Sequence, residues 1–157
     1  MADPPQDVQV TNARVIEEFR ANGGVLGPPF SGGPMMLLTT TGRRTGRRHT
    51  TPLMYVSLGH DGGDPADPGD RFAGGLMVIA SNAGGAVHPD WYLNLEAAAA
   101  TVELGTETFE ATAETVRGDE RVPLWDALVA GYPFFRGHQA RTEREIPLVV
   151  LRRAARR

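Results

Sequence analysis

The chain has 157 residues, 16 basic and 19 acidic, with a formal net charge of −3, a size and balance that suit one domain with one sizeable core. It has no cysteine, which excludes disulfides, thiolate nucleophiles, cysteine-ligated zinc and cysteine-held iron–sulfur clusters. It also has no lysine, since all 16 basic residues are arginine, and this removes Schiff-base catalysis and the phosphate-binding lysine of a P-loop.

The N-terminal stretch MADPPQDVQV lacks the basic and apolar parts of a secretion signal, and no apolar run reaches the roughly 20 residues that cross a bilayer. A cytoplasmic location with no integral membrane segment is expected, and residues 1–6 read as disordered. Over residues 7–22, Val8, Val15, Ile16 and Phe19 fall near one face at helical spacing, with Asn22-Gly23-Gly24 as a stop. Its polar face carries Glu17 and Glu18, so packing on the domain is favoured over membrane contact. The Gly- and Pro-rich residues 23–34 read as a loop.

Strands are expected at PMMLLTTT (34–41), HTTPLMYVSL (49–58) and GLMVIAS (75–81), with Pro52 pointing to an edge or bulged position. The Asp-, Gly- and Pro-rich stretch between the last two reads as a long hairpin loop. Its acidic residues, three apart, lack the alternating spacing of a calcium loop. A helix is expected from Pro89-Asp90 through Trp91 to about Ala99, then a hairpin about Gly105-Thr106 in which Phe109, Ala111 and Ala113 alternate with Glu110, Thr112 and Glu114. Gly118-Asp119 opens a further helix bearing Trp125, Leu128, Val129 and Tyr132, which ends at the aromatic segment YPFFRGHQ. EIPLVVLRR (145–153) makes the last strand. Six strands in hairpin order with helices around them predict an α+β, mainly β, single domain over 1–157: a small six-stranded antiparallel barrel.

The stretch TTTGRRTGRRHTTPLMY places Arg43, Arg44, Arg47 and Arg48 on one turn between two strands of an acidic chain. Backbone N–H groups and guanidinium forks then meet at one end of the sheet, where phosphate or carboxylate would relieve the mutual repulsion. A solvated turn is the plain alternative. Nucleic acid is disfavoured by the net charge and the isolation of the patch. No serine lies in a Gly-x-Ser-x-Gly elbow, and His49, His60, His88 and His138 show no metal-ligand spacing, so no metal site is expected.

The ordered series LLTTTGRRTGRRHTTPLMY, VIASNAGGAVHPDWYLNL and LVAGYPFFRGHQARTEREIPLVVL resembles the deazaflavin-dependent nitroreductase and F420H2-dependent quinone reductase family over nearly the whole chain. The resemblance implies a split β-barrel that binds coenzyme F420, a deazaflavin with a phosphate and a glutamate tail. By motif position, Arg43, Arg44, Thr45 and Gly46 would meet the phosphate and tail, Thr51, Pro52 and Met54 would lie along the ring, and Ala80, Ser81, Asn82 and Ala83 would form the opposite wall. Trp91 and Asn94 would support the site. His49 stands where the family often has arginine and Asn82 where it often has lysine, so by the resemblance two tail-binding charges are either missing or replaced by Arg47 and Arg48. The implied reaction is hydride transfer from reduced F420 to a quinone, enone or nitroaromatic acceptor, in a pocket lined by Trp91, Tyr132, Phe134 and Phe135, with Tyr132 and His138 as candidate proton donors. An FMN-using oxidoreductase and an F420-binding or storage protein without turnover are the alternatives, and a homodimer is one possible assembly.

Overall fold

The computed structural model describes residues 8–28, 34–58, 72, 74–95 and 99–154. Six strands, β1 (Met35–Thr41), β2 (Arg48–Leu58), β3 (Gly75–Ile79), β4 (Ala100–Leu104), β5 (Glu107–Val116) and β6 (Leu148–Arg153), form a closed barrel in the order β1-β2-β3-β6-β5-β4. Every neighbouring pair is antiparallel, and β1 closes on β4 through Leu37↔Glu103, Leu38↔Val102 and Thr39↔Thr101. This is the architecture the strand pattern predicts.

Because side chains alternate along a strand, each strand serves two cores. Met36 and Leu38, Val78, Val102, Ala111, Val149 and Leu151 face one another inside the barrel. Their sequence neighbours Met77, Ile79, Leu148 and Val150 face outward into a second cluster with Leu128, Val129 and Phe135, supplied by helices α3 (Arg121–Gly131) and α4 (Phe134–Ala140). A third cluster packs helix α1 (Val8–Ala21) on the outward residue Leu37 through Val15 and Phe19. Val8, expected on that face, lies outside the described side chains.

Pro52 has the edge position its missing N–H requires, for β2 pairs with β3 only over Tyr55↔Val78 to Leu58↔Gly75, leaving residues 48–54 with β1 alone. Several boundaries differ from expectation. Helix α2 (Asp90–Leu95) is the described part of the helix expected to reach Ala99, and Ala99 itself is not helical. Ala113 is exposed although it has the parity of the buried Ala111, because β4 ends opposite Ala111 and leaves β5 uncovered on that side beyond it. A 3₁₀ turn, Gly118–Glu120, precedes α3. YPFFRGHQ does not merely end α3 but folds as α4, started by Pro133 at φ −59°. Strand β6 begins at Leu148 rather than Glu145, since the Ile146 N–H donates to Gln139 Oε1 at 3.0 Å and Pro147 has no N–H for the ladder. The expected disorder at residues 1–6 and almost all of the expected loop between β2 and β3 lie outside the described residues.

One end of the barrel holds the β1–β2 turn, the exit from β3 and the short helix α2, where the candidate site residues gather. Trp91 and Tyr92 of α2 join the interior cluster and plug that end, with the Tyr92 hydroxyl and Thr115 Oγ1 3.0 Å apart.

Candidate functional site

The β1–β2 turn is a tight backbone loop. The Gly42 N–H donates to the Arg47 carbonyl at 2.7 Å and the Gly46 N–H to the Gly42 carbonyl at 2.9 Å. A Cβ at Gly42 would sit 2.9 Å from Thr45 Oγ1, and Gly46 has φ +72°, so both glycines are needed for this path. Thr45 Oγ1 accepts from the Arg47 N–H at 3.2 Å. Sequence proximity therefore becomes spatial convergence of Arg43, Arg44, Thr45, Gly46, Arg47, Arg48 and His49.

The four arginines divide into two pairs. Arg43 is anchored: its backbone N–H and its Nη1 both donate to Asn94 Oδ1, at 3.1 and 3.0 Å, and its guanidinium stands 3.4 Å from Asp90. Arg48 reaches across β1 to Thr101 Oγ1 at 2.8 Å. The side chains of Arg44 and Arg47 make no hydrogen bond or ion pair among the described residues, and both are exposed. Of the four guanidiniums, these two alone have every donor unengaged among the described residues and so open to an incoming anion.

Asn94 is the keystone of the turn. It is 3% exposed, and its Nδ2 donates to Thr40 Oγ1 at 3.3 Å while its Oδ1 holds Arg43. Helix α2 thus braces the turn from inside the barrel mouth. Thr51 shares the inward parity of Leu53 and Tyr55, whereas Pro52 and Met54 face outward, where Met54 packs with the α3–α4 cluster. Thr51 therefore points away from the other two.

In the segment from Ala80 to His88 the Ala80 N–H donates to the Pro147 carbonyl at 3.0 Å and Asn82–Gly84 form a 3₁₀ turn; beyond these main-chain bonds the segment is held by side chains. Ser81, 8% exposed, lies 3.3 Å through its Oγ from Nδ1 of His138, itself 2% exposed. Asn82 adopts φ +49°, a conformation that asparagine tolerates, and its Nδ2 donates to the Val87 carbonyl at 3.1 Å. Gly84, at φ +82°, packs so closely on α4 that a Cβ would be 2.7 Å from the His138 carbonyl oxygen. The side chain of Ala83 lies outside the described ones.

Arg144 completes this segment, and no local sequence signal marks it. Its guanidinium donates to the carbonyls of Ala80 (3.1 Å), Ser81 (2.7 Å) and Gly85 (3.0 Å) and to Nδ1 of His88 (2.9 Å). Burial pulls its pKa below the ordinary guanidinium value, yet it remains a cation at any physiological pH. The β3 strand, expected to run to Ser81, stops at Ile79, and the carbonyls that follow are taken by Arg144.

The predicted acceptor residues fall into two groups. Tyr132, Phe134, Phe135 and His138 form one aromatic cluster, with ring centroids 4.4 Å apart for Phe134–Phe135 and 5.5 Å for each phenylalanine against His138. Trp91 is separate, buried in the interior cluster edge-on to Tyr92. A cavity of about 290 Å³ lined by Gly74, Leu76, Leu104, Phe109, Leu151, Arg152 and Arg153 opens at the opposite end of the barrel, where Arg152 and Arg153 are already paired with Glu114 and Glu107. Among the described residues, no cluster of His, Asp or Glu could hold a metal ion.

The chain is similar to several known proteins. The family model described as F420H(2)-dependent quinone reductase matches residues 12–153. An F420H(2)-dependent quinone reductase of Mycobacterium tuberculosis is 31% identical over 140 residues, covering 86% of this chain and 85% of that protein. A solved F420-H2 dependent reductase superposes with a TM-score of 0.59 at 28% identity, over 82% of this chain and 97% of the other. Another structure, described as a domain-swapped dimer, gives 0.61 at 27% identity over 89% and 96%.

Proposed function

Because the chain belongs to the F420H(2)-dependent quinone reductase family, and is thus an oxidoreductase that uses coenzyme F420 to reduce a quinone, we propose that its arginine turn grips the anionic end of that cofactor. The observation that carries the proposal is the pair Arg44 and Arg47, two exposed guanidiniums without side-chain partners among the described residues on a turn already rigidified by Gly42, Gly46 and Asn94. A phosphate and carboxylate tail fits this donor set, since charge-assisted bonds to a preordered fork need little reorganisation. Arg43 sets the shape of the turn more than it supplies charge, Arg48 is tied to Thr101, and Thr45, Gly46 and His49 complete the rim.

Reduced F420 supplies a hydride from its ring to the acceptor. The protein's part is to hold the reactants and exclude water. Pro52 and Met54 on the outer face of β2 would support one side of the ring, and Ala80, Ser81, Asn82 and Ala83 the other. Thr51 would reach it only through main-chain atoms. Trp91 would back the site from within the barrel, and Tyr132, Phe134 and Phe135 would line the acceptor pocket. Quinone, enone and nitroaromatic acceptors share the electron-poor, planar character that an aromatic pocket favours.

Two groups could deliver the accompanying proton. The Tyr132 hydroxyl has no hydrogen-bond partner among the described residues, so it can donate without first breaking a bond. His138 is buried and engaged with Ser81, so a proton from it would pass by way of the serine hydroxyl. The likeness to a domain-swapped dimer supports a homodimer as the working assembly.

A fluorescence titration with F420 tests the cradle. Arg44→Ala and Arg47→Ala should each weaken binding by about tenfold, the scale of one lost hydrogen bond between charged groups, and should flatten its salt dependence. Unchanged affinity in both variants would refute it.

A further inference from the structure

The carbonyls of Ala80, Ser81 and Gly85 converge on one point because the chain between them turns through left-handed conformations at Asn82 and Gly84. Three converging carbonyl dipoles repel one another unless a cation sits among them. Arg144 is that cation, and it arrives from residues 56 to 64 positions away in sequence. Its own main chain is fixed from behind, since Gln139 Nε2 donates to the Arg144 carbonyl at 2.7 Å and Gln139 Oε1 accepts from Ile146.

We propose that Arg144 is the positioning residue of this enzyme: it touches neither cofactor nor acceptor but clamps the segment from Ala80 to His88 in the shape the reaction needs. This rests on the reading that residues 80–83 wall the cofactor. One planar fork spans both ends of that wall, from Ala80 at the end of β3 to His88 just before α2, and α2 carries the Asn94 that braces the arginine turn. The two halves of the site are thereby tied into one frame. A lysine cannot take this role, because an ammonium offers three tetrahedral donors from one atom and cannot span four separated acceptors in a plane. The clamp also fixes the state of His88. Arginine cannot accept a hydrogen bond, so Nδ1 of His88 must, and the ring carries its proton on Nε2.

The test compares wild type with Arg144→Lys, reading F420 affinity against salt, kcat and KM for a soluble quinone, and the ¹⁵N signature of the His88 tautomer in the protein without cofactor. The lysine variant should fold, bind F420 about tenfold more weakly and lose kcat by roughly 10- to 100-fold through misplacement, with KM for the quinone changed much less. Its salt dependence should keep the wild-type slope, because the lost contacts are not to the anion, and His88 should become a mixture of tautomers. Wild-type affinity and kcat in the variant would overturn the proposal. So would a flattened salt dependence, which would mean that Arg144 meets the cofactor directly. If the lysine variant does not fold, Gln139→Ala carries the test: a smaller loss of affinity with unchanged salt slope supports the clamp, and wild-type affinity overturns it. A wild-type protein that binds no F420 would instead sink the cofactor reading itself.

Discussion

Asn94 shows how one side chain ties the fold to the site. Its carboxamide, itself buried, holds Arg43 through two part-buried N–H groups and Thr40 through one buried bond. Asn94→Ala would strand the Arg43 N–H and the Thr40 hydroxyl, and we expect a loss of about 1–3 kcal/mol in chemical denaturation together with weaker F420 binding. The Arg43–Asp90 contact is different, for Asp90 is 87% exposed and the pair is weak. Asp90→Asn should therefore leave stability and affinity almost unchanged. The sequence made the arginine cluster, Asn94 and Ser81 visible because they stand in local, ordered motifs. It could not say that two of four arginines would be used internally, since their partners Asn94 and Thr101 lie 51 and 53 residues away. Arg144 was invisible for the same reason.

At the scale of elements, the strands were readable because alternation is a local property that the barrel keeps. Residues 35–58 and 75–79 differ from expectation by a residue or two at their ends. Helix α4 was missed because seven residues beginning Phe-Phe and containing Gly137 carry little helical signal. Tertiary contacts make it, above all Phe135 and His138 packing on the outward face of the barrel and on Ser81. Gly84 is where the Ser81 turn meets that helix, and Gly84→Ala should cost roughly 2 kcal/mol or more through backbone strain and overlap with the His138 carbonyl, read as a lowered denaturation midpoint. A pH effect belongs to the β5–β6 end. The hydrogen bond from Arg153 holds Glu107 below its ordinary pKa of 4.5, so its contribution is present above that value and is lost as pH falls through the lower, folded-state value. The Glu107 side chain is 52% exposed, so the contribution is small and screened by salt. Wild type and Glu107→Gln should differ slightly in stability at neutral pH and low salt, and converge in acid.

Across the whole molecule, the closed barrel explains why this fold can carry an exposed cationic turn without losing rigidity. Closure removes free sheet edges, and the cores inside and outside the sheet fix the strands that flank the turn, save for the half of β2 that β3 leaves unpaired. That half of β2, paired with β1 alone, carries Pro52 and leads from the arginines to Met54, which packs with the aromatic cluster; on the proposed reading it would join the anion anchor to the acceptor pocket. No helix among the described residues is long and apolar enough to cross a membrane. On the proposed reading, F420 is bound by its anionic end at the arginine turn and its hydride passes to a quinone. The most direct measurement is an anaerobic single turnover, in which reduced F420, deuterated at the donor carbon, is mixed with the protein and a soluble quinone. Cofactor fluorescence should return in step with quinol formation, more slowly for the deuterated cofactor, and an Arg44→Ala/Arg47→Ala double variant should need far more cofactor to reach the same rate. Oxidation no faster than in buffer, or a double variant with the wild-type concentration dependence, would contradict it.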